Sequence, residues 1–265
     1  MTETVEHFDK VVNERRSVRL YDTDVDFDSM AVTRSLQRAL LAPNSSNLQL
    51  WEFYQVSTKE KKDELAKLCL GQPAATTANE LVVVVTRRDL AFKRINWMQD
   101  VMKRSFDKAG IKDETKTTKD AGHVLKKIGN DANARRRAVM QYYGKVMPQY
   151  YKMDGLGILG WIKYAYVSLI MAAKGPTVRQ VRRSDLRIVS HKSAALAAQT
   201  FMLSMKAEGY DTCPMEGMDS KLVKKFLNLP SGAEINMIIA CGKGKPAGIY
   251  GPRIRVPEDE VLFKI

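Results

Sequence analysis

Leu81-Val82-Val83-Val84-Val85-Thr86, LVVVVT at residues 81–86, is an unbroken apolar and β-branched run bounded by Glu80 and by Arg87-Arg88. Such a run leaves no polar side for water. It therefore reads as a strand covered on both faces, at the centre of a sheet. Two further stretches support a sheet. Leu50–Val56, aromatic-rich and ending at Ser57-Thr58, predicts one strand, and Glu234-Ile235-Asn236-Met237-Ile238-Ile239-Ala240-Cys241-Gly242 predicts another buried one.

The remainder is mostly helical in pattern. Val5, Phe8, Val11 and Val12 make an apolar stripe over residues 4–14, with Thr2 or Thr4 as cap. DFDSMAVTRSLQRALLA (26–42) predicts a helix capped near Asp28 and stopped before Pro43, and KEKKDELAKLCL (59–70) predicts another. Residues 90–153 read as helical with breaks at Gly110, Gly122 and Gly144, and DSKLVKKFLNL reads as an amphipathic helix before Pro230. VSHKSAALAAQTFMLSMKAEG (189–209) is the clearest helix, Ala-rich, poor in charge and ended by Gly209, so it belongs in the core. GLGILGWIKYAYVSLIMAAKG (155–175) approaches the length of a membrane span, but Lys163 and its glycines favour a buried or interfacial helix. Helices alternating with a few strands give a mixed α/β or α+β chain.

At 265 residues, 45% hydrophobic and 28% charged, the chain is globular in composition and long enough to bury a core. Its net charge of +13 is unevenly placed. Residues 101–192 hold 20 Lys/Arg against 7 Asp/Glu, so this segment carries the whole excess. A basic segment in a neutral frame attracts an anion, whether dinucleotide, nucleic acid or acidic lipid, or else is a solvated helical face. Cys69, Cys213 and Cys241 are widely spaced and lack metal-ligand or CxxC patterns, and the N-terminus has no apolar leader core, so the expectation is a cytoplasmic protein with no metal site.

Four constellations carry polar chemistry. In Arg15-Arg16-Ser17-Val18-Arg19, an extended backbone puts Arg15, Ser17 and Arg19 on one face, where guanidinium forks match phosphate oxygens. In Pro43-Asn44-Ser45-Ser46-Asn47-Leu48-Gln49, a turn crowded with amides offers donors and acceptors to the edge of a heteroaromatic ring. Cys213-Pro214-Met215-Glu216-Gly217 predicts an irregular backbone whose N–H groups face a ligand, with Cys213 a small buried residue rather than a redox centre. Arg253-Ile254-Arg255 again sets two cations on one side of an extended piece. Each alone is an ordinary surface turn. Trp97, Met98 and Met102 read as helix core, and His123 and His191 as polar or capping residues.

Taken in order, these stretches resemble the nitroreductase family of FMN-dependent NAD(P)H oxidoreductases. The resemblance runs through RRSVRLY, APNSSNLQLWEF, LVVVVT, SAALAAQTFMLSMKAEGYDTCPMEG and GPRIRVP, and covers most of residues 10–90 and 185–256. It implies an α+β fold, a central, mainly antiparallel sheet surrounded by helices, in one domain over 1–265 with 91–180 as a long basic helical insertion or cap. It assigns FMN phosphate and ribityl oxygens to Arg15, Arg16, Ser17 and Arg19, with Arg253 and Arg255 as late phosphate ligands. It brings Pro43, Asn44, Ser45, Asn47 and Gln49 to the flavin from the other subunit of a homodimer, and sets Pro214, Met215, Glu216, Gly217 and Gln72 at the ring.

The implied reaction is a ping-pong reduction, by NADH or NADPH, of a small nitroaromatic, quinone or similar electron-poor acceptor. Flavin N5 carries the hydride and no side chain is named as catalytic. Reductive dehalogenation or flavin remodelling on the same fold is the alternative reaction. Leu50 departs from the proline usual between Gln and Trp, 91–180 is longer and more basic than in compact members, and Gly242-Lys243-Gly244-Lys245-Pro246 lacks the P-loop pattern. From other classes, the basic segment 101–192 suggests nucleic-acid binding, disfavoured because zinc-finger and RRM signatures are missing, or a membrane surface touched by the apolar run 156–173.

Overall fold

The computed structural model describes residues 2–111 and 131–265. The expected break at Gly122 and the role given to His123 lie outside the described residues. The elements are α1 (Glu3–Glu14), β1 (Tyr21–Asp22), α2 (Ser29–Ala39), β2 (Trp51–Val56), α3 (Lys59–Leu68), the single turn α4 (Pro73–Thr76), β3 (Glu80–Thr86) and α5 (Ala91–Lys108). There follow α6 (Ala132–Gln141), α7 (Met147–Tyr151), α8 (Ile158–Tyr166), α9 (Arg183–Ala207), β4 (Asp211–Met215), α10 (Ser220–Phe226) and β5 (Glu234–Gly244).

The sheet is antiparallel. β5 is its spine, pairing with β3 along one side, Glu80 opposite Cys241 and Thr86 opposite Glu234. Its other side takes β4, Asp211 opposite Gly242, and then the short β1, Tyr21 opposite Gly244. β2 closes the far edge against β3. The LVVVVT run is thus central, and every residue of β3 is buried.

Strand alternation divides the core in two. Leu81, Val83 and Val85 face Leu65 and Ala66 of α3 and Val223 of α10, together with Cys213, Met215 and Ile238. Val82 and Val84 face α2 and α9, through Val32, Ala39, Ala194, Ala197, Ala198, Phe201 and Met205. The alanines let α9 lie close on the sheet, while Phe201, fully buried, fills the space beyond them. A third cluster joins Leu48 and Leu50 to Ala91, Ile95, Met98, Tyr143, Met147 and Leu186, fastening α5–α7 to the loop ahead of β2.

Several expectations are corrected. Cys213–Met215 is strand rather than irregular backbone; Pro214, which has no N–H, is tolerated because β4 lies outside β5. Gly144 does not break its helix: the chain passes from α6 to α7 through one wider π turn, Tyr142–Val146. α9 starts at Arg183, six residues earlier than the apolar pattern, because Asp185 accepts from the Arg182 backbone (3.0 Å) and side chain (3.2 Å). Trp97 is exposed at 47%, whereas Met98 is buried as expected and Met102 packs at the edge of the third cluster.

Candidate functional site

The two arginine constellations meet. A parallel bridge between Ser17 and Thr212 and a bond from Val18 N–H to the Thr212 carbonyl (3.1 Å) lay residues 15–19 beside β4. The turn after β5 is clamped to the same segment: Arg19 N–H donates to Gly248 O (2.9 Å), and Lys245 N–H to Leu20 O (2.9 Å). Gly248 sits so close that a Cβ there would stand 2.7 Å from Leu20 N. That clamp delivers the arm 249–255 alongside residues 15–19.

Between them lies a cleft of about 200 Å³ lined by Arg15, Arg16, Ser17 and Arg19 on one side and by Ile249–Arg255 on the other. Among the described residues, none that lines it is acidic. Val18 is buried in the core, the face opposite Ser17 and Arg19, whereas Arg16, of the same parity as Val18, still reaches the cleft. Arg253 donates to the carbonyls of Asn13 (2.8 Å) and Arg15 (2.7 Å), and Arg16 to Gly251 O (2.7 Å). Burial, and after it the charges of Arg253, Arg255 and Arg16, push Arg15 below the usual arginine range. Cations gathered without a carboxylate make a receptor for a phosphate-like anion.

Along β4 from this cleft, the strand ends at Met215-Glu216-Gly217. Gln72, at the start of α4, donates to Gly217 O (2.6 Å). Glu216 lines a second cleft, of about 560 Å³, between α9 and the ends of β4 and β5. Beside that cleft Glu234 accepts from Arg187, His191 Nε2 lies 3.3 Å from the same carboxylate, and the Asn236 side-chain nitrogen lies 3.0 Å from His191 Nδ1. Burial raises the Glu234 carboxyl, but the bonds from Arg187 and His191 outweigh it and hold the group below the ordinary carboxylate range. Cys213 is buried and its thiol is pushed up by desolvation, against the pull of Arg19 and Arg15.

The polar turn sits elsewhere in the chain and does not line the cationic cleft. Ser46, Asn47 and Gln49 all hold positive φ (54°, 51° and 48°), a conformation that costs an ordinary residue about 1–3 kcal/mol. It is held by Asn44 Oδ1 accepting from Gln49 N–H (2.8 Å), by Ser193 Oγ accepting from Ser45 N–H (3.3 Å), and by two tyrosines. Tyr142 OH meets Ser46 Oγ at 2.7 Å, and Tyr143 OH donates to Ser46 O at 2.8 Å. Gln49 opens into a third cleft, of about 600 Å³, beside Trp51 and α2. Pro43 is exposed at the head of the turn.

Sequence reasoning missed Tyr250, whose ring lies 5.0 Å from the Arg19 guanidinium, and the pair Tyr142-Tyr143. The first was detectable as an aromatic next to GPRIR. The second was not, because its partner lies 96 residues away. Among the described residues no cluster of His, Cys, Asp and Glu is arranged to hold a metal ion.

An antiparallel sheet enclosed by helices, with a cationic cleft at its edge and a strained polar turn, defines an α+β protein built to hold an anionic ligand. The description "Nitroreductase family" matches residues 12–243. The chain belongs to the nitroreductase family. A Bacillus subtilis protein named "Putative NAD(P)H nitroreductase MhqN" is 24% identical over 256 residues, covering 96% of this chain and 97% of that one. Among solved structures, the ydfN nitroreductase-type protein of Bacillus subtilis superposes with a TM-score of 0.66 at 21% identity, over 98% of this chain and 100% of that one. A nitroreductase-type protein from Exiguobacterium sibiricum, solved in complex with FMN, gives 0.64 at 22% identity, over 97% of each chain.

Proposed function

We propose that the chain is an FMN-dependent NAD(P)H oxidoreductase that reduces an electron-poor acceptor of the nitroaromatic or quinone type. The observation that carries this reading is the arginine cleft beside β4, which no described acidic residue lines, on a chain of this family. It fits the phosphate of such a cofactor, because the mutual repulsion and burial weighing on Arg15 are relieved by an anion.

Arg15, Arg16, Ser17, Arg19 and Arg255 hold the phosphate and ribityl oxygens, while Arg253 adds its charge and keeps the arm against Arg15. Pro214–Gly217, with Gln72 bonded to Gly217, borders the ring at the other end of β4. Laid along the strand, a ligand with an anion at one end and a flat polar ring at the other meets both ends. Bound FMN supplies the hydride chemistry, and NAD(P)H and the acceptor take the site in turn, a ping-pong order. No side chain of this chain serves as acid or base in that scheme.

The reading includes a homodimer. The strained turn Pro43, Asn44, Ser45, Asn47, Gln49 stands apart from the cleft of its own chain, and a second copy brings it to the ring. The exposed apolar residues Ile254, Val256, Val261, Leu262 and Phe263 of the C-terminal arm favour the same arrangement, since such side chains call for cover. We further read 1–265 as one domain with 91–180 as a cap, working in the cytoplasm, in keeping with three buried, unbridged thiols.

The test is the visible absorption spectrum of the purified protein, followed by release of the chromophore and its identification by mass. Released FMN, reduced by NADH or NADPH, is the expected result. A colourless protein that takes up no added FMN overturns the assignment.

A further inference from the structure

The strand-and-helix core buries its apolar side chains, but α8 and the wide turn after it, Val167–Met171, are oriented the other way. Ile158, Trp161, Ile162, Tyr166, Leu169 and Ile170 recur every three or four residues and are all exposed, Trp161 at 61% and Leu169 at 75%. The opposite face is the one held by protein. Gly160 lies on the backbone of Arg182 and Arg183, each 3.3 Å from where a Cβ would stand. Lys163 turns inward and donates to the carbonyls of Gln149, Tyr150 and Lys152, capping the end of α7. A helix on a globular surface normally shows its cations to water and its apolar side to the core; here the arrangement is reversed.

The surrounding charge is mainly positive. Lys163, Lys174, Arg179, Arg182 and Arg183 stand against Asp154, which caps the start of α8, and Asp185, which pairs with Arg182. Lys174, Arg179 and Arg183 are exposed. Arg182 lies 5.3 Å from the Trp161 ring and 5.0 Å from that of Tyr164, which keeps a cation at the level of the aromatic side chains. The cations beside the apolar side chains make this face complementary to a surface that is itself anionic. An anionic lipid surface satisfies both features at once: the interfacial apolar layer receives the isoleucines, leucines and Trp161, and the headgroups receive the cations.

We propose that the outward face of α8 and its following turn docks this protein on an anionic membrane surface, lying along it. No helix among the described residues is long and apolar enough to cross a membrane, so the contact is interfacial. The proposal is independent of the flavin assignment, since none of these residues lines the arginine cleft.

The experiment is co-sedimentation of the full chain with phosphatidylcholine vesicles and with the same vesicles containing phosphatidylglycerol. Expected is binding to the anionic vesicles, weakened by salt, with little binding to neutral ones. Lys174→Gln with Arg179→Gln, both at exposed positions, lowers vesicle affinity by about fivefold for each cation removed. Ile162→Glu with Leu169→Glu lowers it by on the order of tenfold or more, with far-UV circular dichroism unchanged. Absence of binding by the wild type, or equal binding to both vesicle types, overturns the proposal. So does undiminished binding by both pairs of variants. If the wild type binds no vesicle and the Ile162→Glu, Leu169→Glu protein changes its sedimentation state, the face belongs to a second copy instead.

Discussion

The Arg253 guanidinium donates to the main-chain oxygen of Arg15 at 2.7 Å, joining positions 238 residues apart. The same group reaches the carbonyls of Val12 and Asn13, in the last turn of α1. Because α1 buries none of its residues, this side chain is one of the few ties that fix the helix, and it joins it to the C-terminal arm. Arg253→Ala should therefore speed amide exchange over residues 3–14 while leaving β3 protected. Unchanged exchange in α1 would show that the tie is idle. Each hydrogen bond of this kind contributes about 0.5–1.5 kcal/mol.

Arg19 lines the cleft, held by Tyr250 and by the backbone bond to Gly248. On the proposed reading, removing it deletes a charge-assisted contact to the cofactor phosphate without touching the core. Arg19→Ala should weaken FMN binding by roughly tenfold or more, taking about 1.5–3 kcal/mol for a hydrogen bond to a charged group. Flavin titration followed by fluorescence measures it, and wild-type retention would remove Arg19 from the phosphate site.

Gly248 has no room for a side chain, its virtual Cβ being 2.7 Å from Leu20 N and 2.8 Å from Val18 Cγ1. Gly248→Ala must push the turn off the 18–20 segment and carry Arg253 and Arg255 away with it. The expected result is a loss of about 1–3 kcal/mol in stability together with weaker flavin binding. Normal flavin affinity in a destabilised Gly248→Ala protein would show that the arm is placed by other contacts.

Glu208 closes α9 onto α2. Hydrogen bonds from Arg34 and then Arg38 draw its carboxyl down to about 2 from an ordinary 4.5. A carboxylate depressed in the folded state adds stability that is complete above pH 4.5 and drains away as pH falls toward about 2. Denaturant unfolding between those limits should show a steeper acid loss for the wild type than for Glu208→Gln. The side chains of Arg34 and Arg38 are substantially exposed, so the effect is modest and salt weakens it. Parallel acid profiles would assign the loss to other carboxylates.

Gln49 holds a φ of 48° although it is not glycine. Gln49→Gly should relieve strain and raise stability by about 1 kcal/mol while slowing acceptor reduction, since the amide leaves the turn. A variant both more stable and fully active would mean that the strain serves no ligand.

Much of the sheet was legible because its strands answer to burial alone. LVVVVT has no polar face to present, and Met237–Cys241 of the later run has none either, so their place at the centre follows from composition. β4 was harder: Pro214 and Gly217 carry loop chemistry, and only the pairing with β5 and the bridge to Ser17 make the stretch extended. The first turn of α9 was hidden for a similar reason, its Arg-Ser-Asp composition being that of a loop until Asp185 closes on Arg182. At the site, the alternation of Arg15, Ser17 and Arg19 predicted a shared face, and they do share a cleft. That Arg253 and Arg255 arrive at the same cleft is a tertiary fact carried by the Gly248 clamp, which no local pattern records. The inverted face of α8 was readable only as an apolar length; which way it turned depended on Lys163 finding three carbonyls.

The two tyrosine hydroxyls that hold Ser46 have a practical consequence for redesign. α5–α7 look like a cassette that could be exchanged to retune which acceptor is reduced, yet Tyr142 and Tyr143 bind the turn from within that cassette. A graft that omits them removes both hydroxyls that meet Ser46 and leaves its left-handed backbone to the remaining bonds of the turn, so a chimera built for new selectivity keeps this anchorage only if both tyrosines travel with the scaffold.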